Sequence, residues 1–130
     1  MQPIAIIRRV LVALSLALCL SGSAAAQSDP VAAREVDALI ADVAALRSAV
    51  FIRNGSEYDA AKAAEHLRLK RSRAGNKLKT AEDFIRYCAT ASSMSGKKYR
   101  LRFADGRETD VDAYLNARLQ ALRHPRAAKG

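Results

Sequence analysis

The chain has 130 residues, enough for one domain around one modest core and too few for two. Its 22 Lys and Arg against 13 Asp and Glu give a formal charge of +9, which favours anionic partners such as phosphate, acidic polymers or lipid headgroups. Two His and two Cys show no ligand spacing, and the chain has no glycine-rich phosphate loop or dinucleotide fingerprint. The usual zinc and nucleotide classes are therefore excluded, and neither a metal nor a cofactor is expected.

Residues 1–26 read as a secretory signal peptide. Arg8 and Arg9 supply positive charge, Val10 to Leu20 form an apolar run broken only by Ser15, and Ser21 to Ala26 are all small. Ala24 and Ala26 fit the small-x-small cleavage pattern and make Gln27 the first mature residue. The run falls short of the about 20 apolar residues of a spanning helix, so no transmembrane span is expected after cleavage. Leu18, ahead of Cys19, is too bulky for lipoprotein processing. The leader removes two cations and no acid, leaving 20 against 13 and a mature charge of +7. A periplasmic or secreted location follows, where the available anions are envelope components, and no nucleic acid is expected as partner. Cys19 leaves with the leader, so Cys88 stands alone and belongs in the core.

The first helix opens at Ser28-Asp29-Pro30, a capping side chain followed by proline. Val36, Leu39, Ile40, Val43, Leu46 and Val50 recur at spacings of three and four, which predicts a helix to about Phe51. Arg53-Asn54-Gly55 breaks it: Gly55 is expected at positive φ and Asn54 at the helix end. Ser56 is the predicted cap of a second helix reaching about Lys70, with Glu57 and Asp59 near its positive end. Between Arg68 and Lys79 lie six cations and no acid, and Arg71 to Lys77 read as a loop.

Thr80 is the expected cap of a third helix, with Glu82 and Asp83 in its first turn and Phe84, Ile85 and Cys88 inward, ending near Ser92. Ser92 to Gly96 form a polar connector. Tyr99, Leu101 and Phe103 then alternate with Lys98, Arg100 and Arg102, the pattern of a strand with one buried face. Asp105-Gly106 is a hairpin signal, and Arg107 to Thr109 return as a short strand. Thr109 or Asp110 caps the last helix, which buries Val111, Tyr114, Leu115, Leu119 and Leu122 and stops at His124-Pro125. The expected architecture is α+β and mostly α: about four helices with one small β-hairpin, in a single compact domain over 27–123. Residues 124–130 form a flexible basic tail.

Four blocks in this order resemble the YfeK-like family of small exported bacterial proteins, a domain of unknown function. They are Phe51 to Gly55, His66 to Lys70, Thr80 to Ile85, and Ser92 to Tyr99. The resemblance implies export and a single domain, and it carries no catalytic residue with it.

Candidate ligand-binding residues are Arg53, His66, Lys70, Ser93, Ser95, Gly96 and Lys97. Tyr58, Lys62, His66 and Lys70, each four apart, would share one helical face as a recognition surface or a solvated stripe. Arg53 would reach a carboxylate across the domain or face a ligand. Ser93, Ser95 and the amides around Gly96 would form an anion nest beside Lys97 and Lys98, or a tight connector whose serines satisfy local backbone groups. Thr80 opens a helix and offers a second set of free amides. Asn54, Gly55, Thr80, Asp105 and Gly106 are expected in structural roles. Ser95 to Lys98 match Ser-x-x-Lys by accident, since the companion motifs are missing. The leading expectation is a non-enzymatic binding or accessory module for an anionic envelope component or a protein partner. The alternatives are a small hydrolase pairing His66 with Ser92, Ser93 or Ser95, and a structural subunit dimerising through Cys88 or the hairpin edge.

Overall fold

The computed structural model describes residues 29–126. The predicted leader and the last four residues of the predicted tail lie outside the described residues. The elements run α1 (Pro30–Ala45), β1 (Val50–Arg53), β2 (Ser56–Tyr58), α2 (Ala60–Ala74), α3 (Ala81–Cys88), β3 (Arg100–Arg102), β4 (Glu108–Asp110) and α4 (Val111–Arg123). The fold is α+β with four helices in one compact domain, as expected. Its sheet is larger than the single predicted hairpin: four antiparallel strands in the order β2-β1-β3-β4. Among the described residues no helix is long and apolar enough to cross a membrane.

Asp29 caps α1 by accepting a hydrogen bond from the Val31 amide at 3.0 Å, with Pro30 in the first turn. The helix stops at Ala45, not near Phe51. Val50, Phe51 and Ile52 are β-branched or aromatic and leave the helix for β1, where Phe51 pairs with Tyr58 on one side and Leu101 on the other. The helical spacing that reaches Val50 is therefore a coincidence of register. Asn54 and Gly55 both have positive φ, +53° and +79°, as a type I′ hairpin turn requires. These residues join two strands and do not end a helix. Ser56 accordingly lies in β2, and Asp59 takes over as cap of α2, accepting from the Lys62 amide at 2.8 Å.

The predicted loop at Arg71 to Lys77 is the last helical turn of α2 followed by a 3-10 turn over Gly75–Lys77. Arg, Lys and Ala are good helix formers, and cations near a helix C-terminus complement its dipole. Arg71 is further anchored to Asp37 of α1 and donates to the Ala33 carbonyl at 3.3 Å. Thr80 and Asp83 form a capping box at α3. That helix ends at Cys88, earlier than the predicted Ser92, and Thr90 closes it by donating to the Ile85 carbonyl at 2.9 Å. The second predicted turn is present: Gly106 has φ +88°, and Phe103 and Arg107 pair across it at 2.8 Å.

The register places Phe51, Tyr58, Leu101 and Thr109 on one face of the sheet. That face packs with the helices around Leu39, Val43, Phe84, Leu115 and Leu119, all fully buried. Cys88 is part of this core at 1% exposure. Burial pushes its thiol above the usual range, and a disulfide between copies would require α3 to leave the core. The opposite face carries ion pairs among Glu57, Arg100, Arg102, Glu108 and Asp110, extended by Lys98 to Asp112.

Candidate functional site

On a β-strand, residues two apart share a face, so Arg53 lies on the same side as Phe51 and faces the helices. The tight turn puts it at the end of the hairpin, beside α2. Ala63, Ala64 and Leu67 bury one side of α2. Lys62, His66 and Lys70 succeed one another at intervals of four along a neighbouring stripe. Tyr58, predicted on this helix, comes from β2 and meets the stripe from across the cleft. Tyr99, just ahead of β3, turns to the same side as Leu101 and is 7% exposed.

These segments converge on one polar cluster. Arg53 Nη1 lies 3.2 Å from His66 Nδ1 and 3.3 Å from Nε2, and its guanidinium sits 5.5 Å from the Tyr58 ring centroid. His66 Nε2 is 3.4 Å from the Tyr99 hydroxyl, with the two rings edge to face. Lys70 Nζ donates to the same hydroxyl at 2.9 Å and to the Ala91 carbonyl at 3.3 Å. Arg53 can only donate, so one ring nitrogen of the neutral imidazole accepts from it. The Tyr99 oxygen accepts from Lys70 Nζ. Burial, followed by the charges of Arg53, Lys70 and Arg73, holds the imidazole below its usual pKa, so His66 is neutral at neutral pH.

The charge at this site is uncompensated. The half-buried arginines 71, 100, 102 and 118 each contact a carboxylate. Arg53 has no such partner among the described residues, and its Nε is sealed from solvent with no hydrogen-bond partner at all. Lys70 likewise has only neutral partners. Arg53, Tyr58, His66 and Tyr99 line a cleft of about 280 Å³ between β1, β2 and α2, and Lys70 meets that lining through the Tyr99 hydroxyl.

The serine loop is arranged differently. Ser92 Oγ accepts from Asn54 Nδ2 at 3.2 Å and from the amides of Met94 and Ser95 at 3.3 and 3.4 Å. Ser95 Oγ donates to Asn54 Oδ1 and accepts from the Lys97 amide, while the Gly96 amide binds the Ser92 carbonyl. The amides that an anion nest would present are thus engaged within the loop. At Thr80 the amide of Asp83 is taken by Thr80 Oγ1 at 3.1 Å, and the Asp83 carboxylate, accepting from the Lys79 and Thr80 amides at 2.9 and 3.2 Å, sets a negative charge at the helix start. Ser93 and Lys97 are exposed. Among the described residues no hydrogen bond joins His66 to Ser92, Ser93 or Ser95; its ring nitrogens face Arg53 and Tyr99. Of the seven ligand candidates the structure therefore unites Arg53, His66 and Lys70 and leaves Ser93, Ser95, Gly96 and Lys97 in a separate loop. Asn54 connects the two groups by clamping the hairpin turn to Ser92 and Ser95.

Sequence reasoning missed Tyr99 as a site residue by treating it only as one of the inward positions of a strand. The available signal was its hydroxyl, since a buried tyrosine needs a polar partner.

The family model described as "Family of unknown function (DUF5329)" matches residues 30–123. Over 64 residues the chain is 38% identical to "Uncharacterized protein YfeK" of Salmonella typhimurium strain LT2, covering 49% of this chain and 53% of that protein. The chain thus spans about half the length of this curated relative. No solved structure matches. The family match extends from α1 to the end of α4, and on that match the chain belongs to the DUF5329 family, a family of unknown function.

Proposed function

We propose that this protein is a non-enzymatic binding module of the bacterial envelope that holds an anionic group in the cleft between α2 and the β1–β2 hairpin. The observation that carries the reading is the pair of half-buried cations, Arg53 and Lys70, which have no carboxylate partner and lie against Tyr58 and Tyr99. A half-buried cation without a counter-charge is costly to keep unless something else supplies one. The occupied ring nitrogens of His66 support binding over hydrolysis, because a general base needs a free nitrogen within reach of its nucleophile. Arg68, Arg73, Lys77 and Lys79 add exposed charge along and just beyond the C-terminal half of α2, a supplementary attraction toward an anionic surface.

Retention of the purified protein on an anionic matrix tests the reading. It should collapse as salt rises, because screening shortens the reach of exposed charges, and Arg53→Gln with Lys70→Gln should elute earlier than the unaltered protein. Salt-insensitive retention overturns it. Export through the leader is tested separately by N-terminal sequencing of envelope fractions. Gln27 is the expected first residue; Met1 there, or a cytosolic mature form, overturns the envelope location.

A further inference from the structure

We propose that the occupant of the cleft is a small amphipathic acid, an acyl chain ending in a single carboxylate. This rests on the anion-binding reading and goes beyond it by naming the ligand class from three features of the cleft.

The walls are apolar. Phe51, Ile52, Ala63, Leu67, Leu69 and Val111 line the cleft behind the polar cluster, and Leu69 stands at its rim with 46% of its surface exposed. Phe51, Ala63, Leu67 and Val111 are already buried, so the apolar surface that an acyl chain would remove from water is chiefly that of Leu69 and Ile52. The head-group end is cationic and planar. Nη1 of Arg53 is held by His66, while Nε and Nη2 have no partner among the described residues. That edge is the one a carboxylate takes side-on with two parallel hydrogen bonds. Nε is sealed from solvent, so the bidentate contact requires the Arg53 side chain to turn as the ligand enters. The size and charge of the cleft also restrict the ligand. About 280 Å³ lies just below the usual range for small-molecule sites, about 300 to 1,000 Å³, so the cleft suits a short ligand. Glu65 lines the same cleft, paired with Lys62 at 3.4 Å, and its carboxylate disfavours a multiply charged ligand such as a phosphate dianion.

Calorimetric titration of the purified protein with octanoate, acetate, octanol and inorganic phosphate tests the assignment. Resonances of the His66 imidazole and the Tyr99 ring report the location of binding. Octanoate should bind at least about tenfold more tightly than acetate, phosphate or octanol, and should shift both rings. Arg53→Gln should abolish the advantage over octanol. Leu69→Ser, at an exposed position that leaves the core intact, should reduce the advantage over acetate. Should Arg53→Gln fail to fold, the ring shifts in the unaltered protein and the Leu69 variant still decide the matter. Acetate or phosphate binding as tightly as octanoate overturns the acyl part and leaves the anion reading standing. Octanol binding as tightly as octanoate overturns the carboxylate part, and with it the reading of the cleft as an anion site. If octanoate binds without shifting either ring, or does not bind, the assignment is wrong, and salt-dependent retention remains the separate measure of the broader reading.

Discussion

His66 owes its charge state to its surroundings: it is partly desolvated on α2, with Arg53, Lys70 and Arg73 near enough to oppose a further positive charge. Its folded pKa lies below the ordinary value of 6.5, so the unfolded chain takes up a proton first as the pH falls. Above pH 6.5 both states are neutral and the residue has no effect on the balance. Below it, stability declines until the folded imidazole protonates as well. Glu35 and Glu82 have depressed pKa values, chiefly from hydrogen bonds to Arg123, and their contributions fade only at lower pH, below the ordinary 4.5. The two windows can therefore be separated. Urea unfolding followed from about pH 7 down to about pH 5 should show a loss of stability that His66→Gln flattens. An unchanged slope in the variant would mean that the imidazole is not held neutral by its neighbours.

The hairpin of β1 and β2 is the element on which the cleft depends, because its turn orients Arg53 and its Asn54 side chain grips Ser92 and Ser95. A Cβ added at Gly55 meets no atom within 4 Å, so replacing it tests backbone conformation alone. With φ at +79°, Gly55→Ala should lower stability by about 1 to 2 kcal/mol, read from the shift of the denaturant midpoint. If Gly55→Ala proves neutral, the turn is more adaptable than its dihedral angles imply. This element also shows why local reading fails here. Asn-Gly is a turn signal in either context, and the apolar spacing up to Val50 suited a helix as well as a strand. Pairing with β3, whose residues lie about fifty positions later, made the choice, and no local window contains that partner.

Across the whole molecule, β3 ties the layers together, since it pairs with both β1 and β4 and sends Leu101 into the core with no exposed surface. Leu101→Ala should cost about 2 to 5 kcal/mol, seen as a lower denaturant midpoint with an unchanged slope. A loss well below that range would mean that the helices repack around the gap. Much of the fold was legible in the chain itself: the starts of α1, α3 and α4, the inward faces carrying Val36 to Val43 and Phe84 to Cys88, and the Asp105-Gly106 hairpin. Caps, turn residues and helical or alternating periodicity act over a few neighbouring residues, so they are written locally and can be read locally. The helical continuation of α2 through its run of cations was obscured because composition suggested a loop where propensity and Asp37 favoured a helix. For the site, the chain itself supplied Arg53, His66 and Lys70 as candidates. Bringing them together with Tyr58 and Tyr99, and separating them from the serine loop, was decided by tertiary structure. Their meeting depends on sheet register and on α2 packing beside it, and the energy of such contacts is shared between segments far apart in the chain.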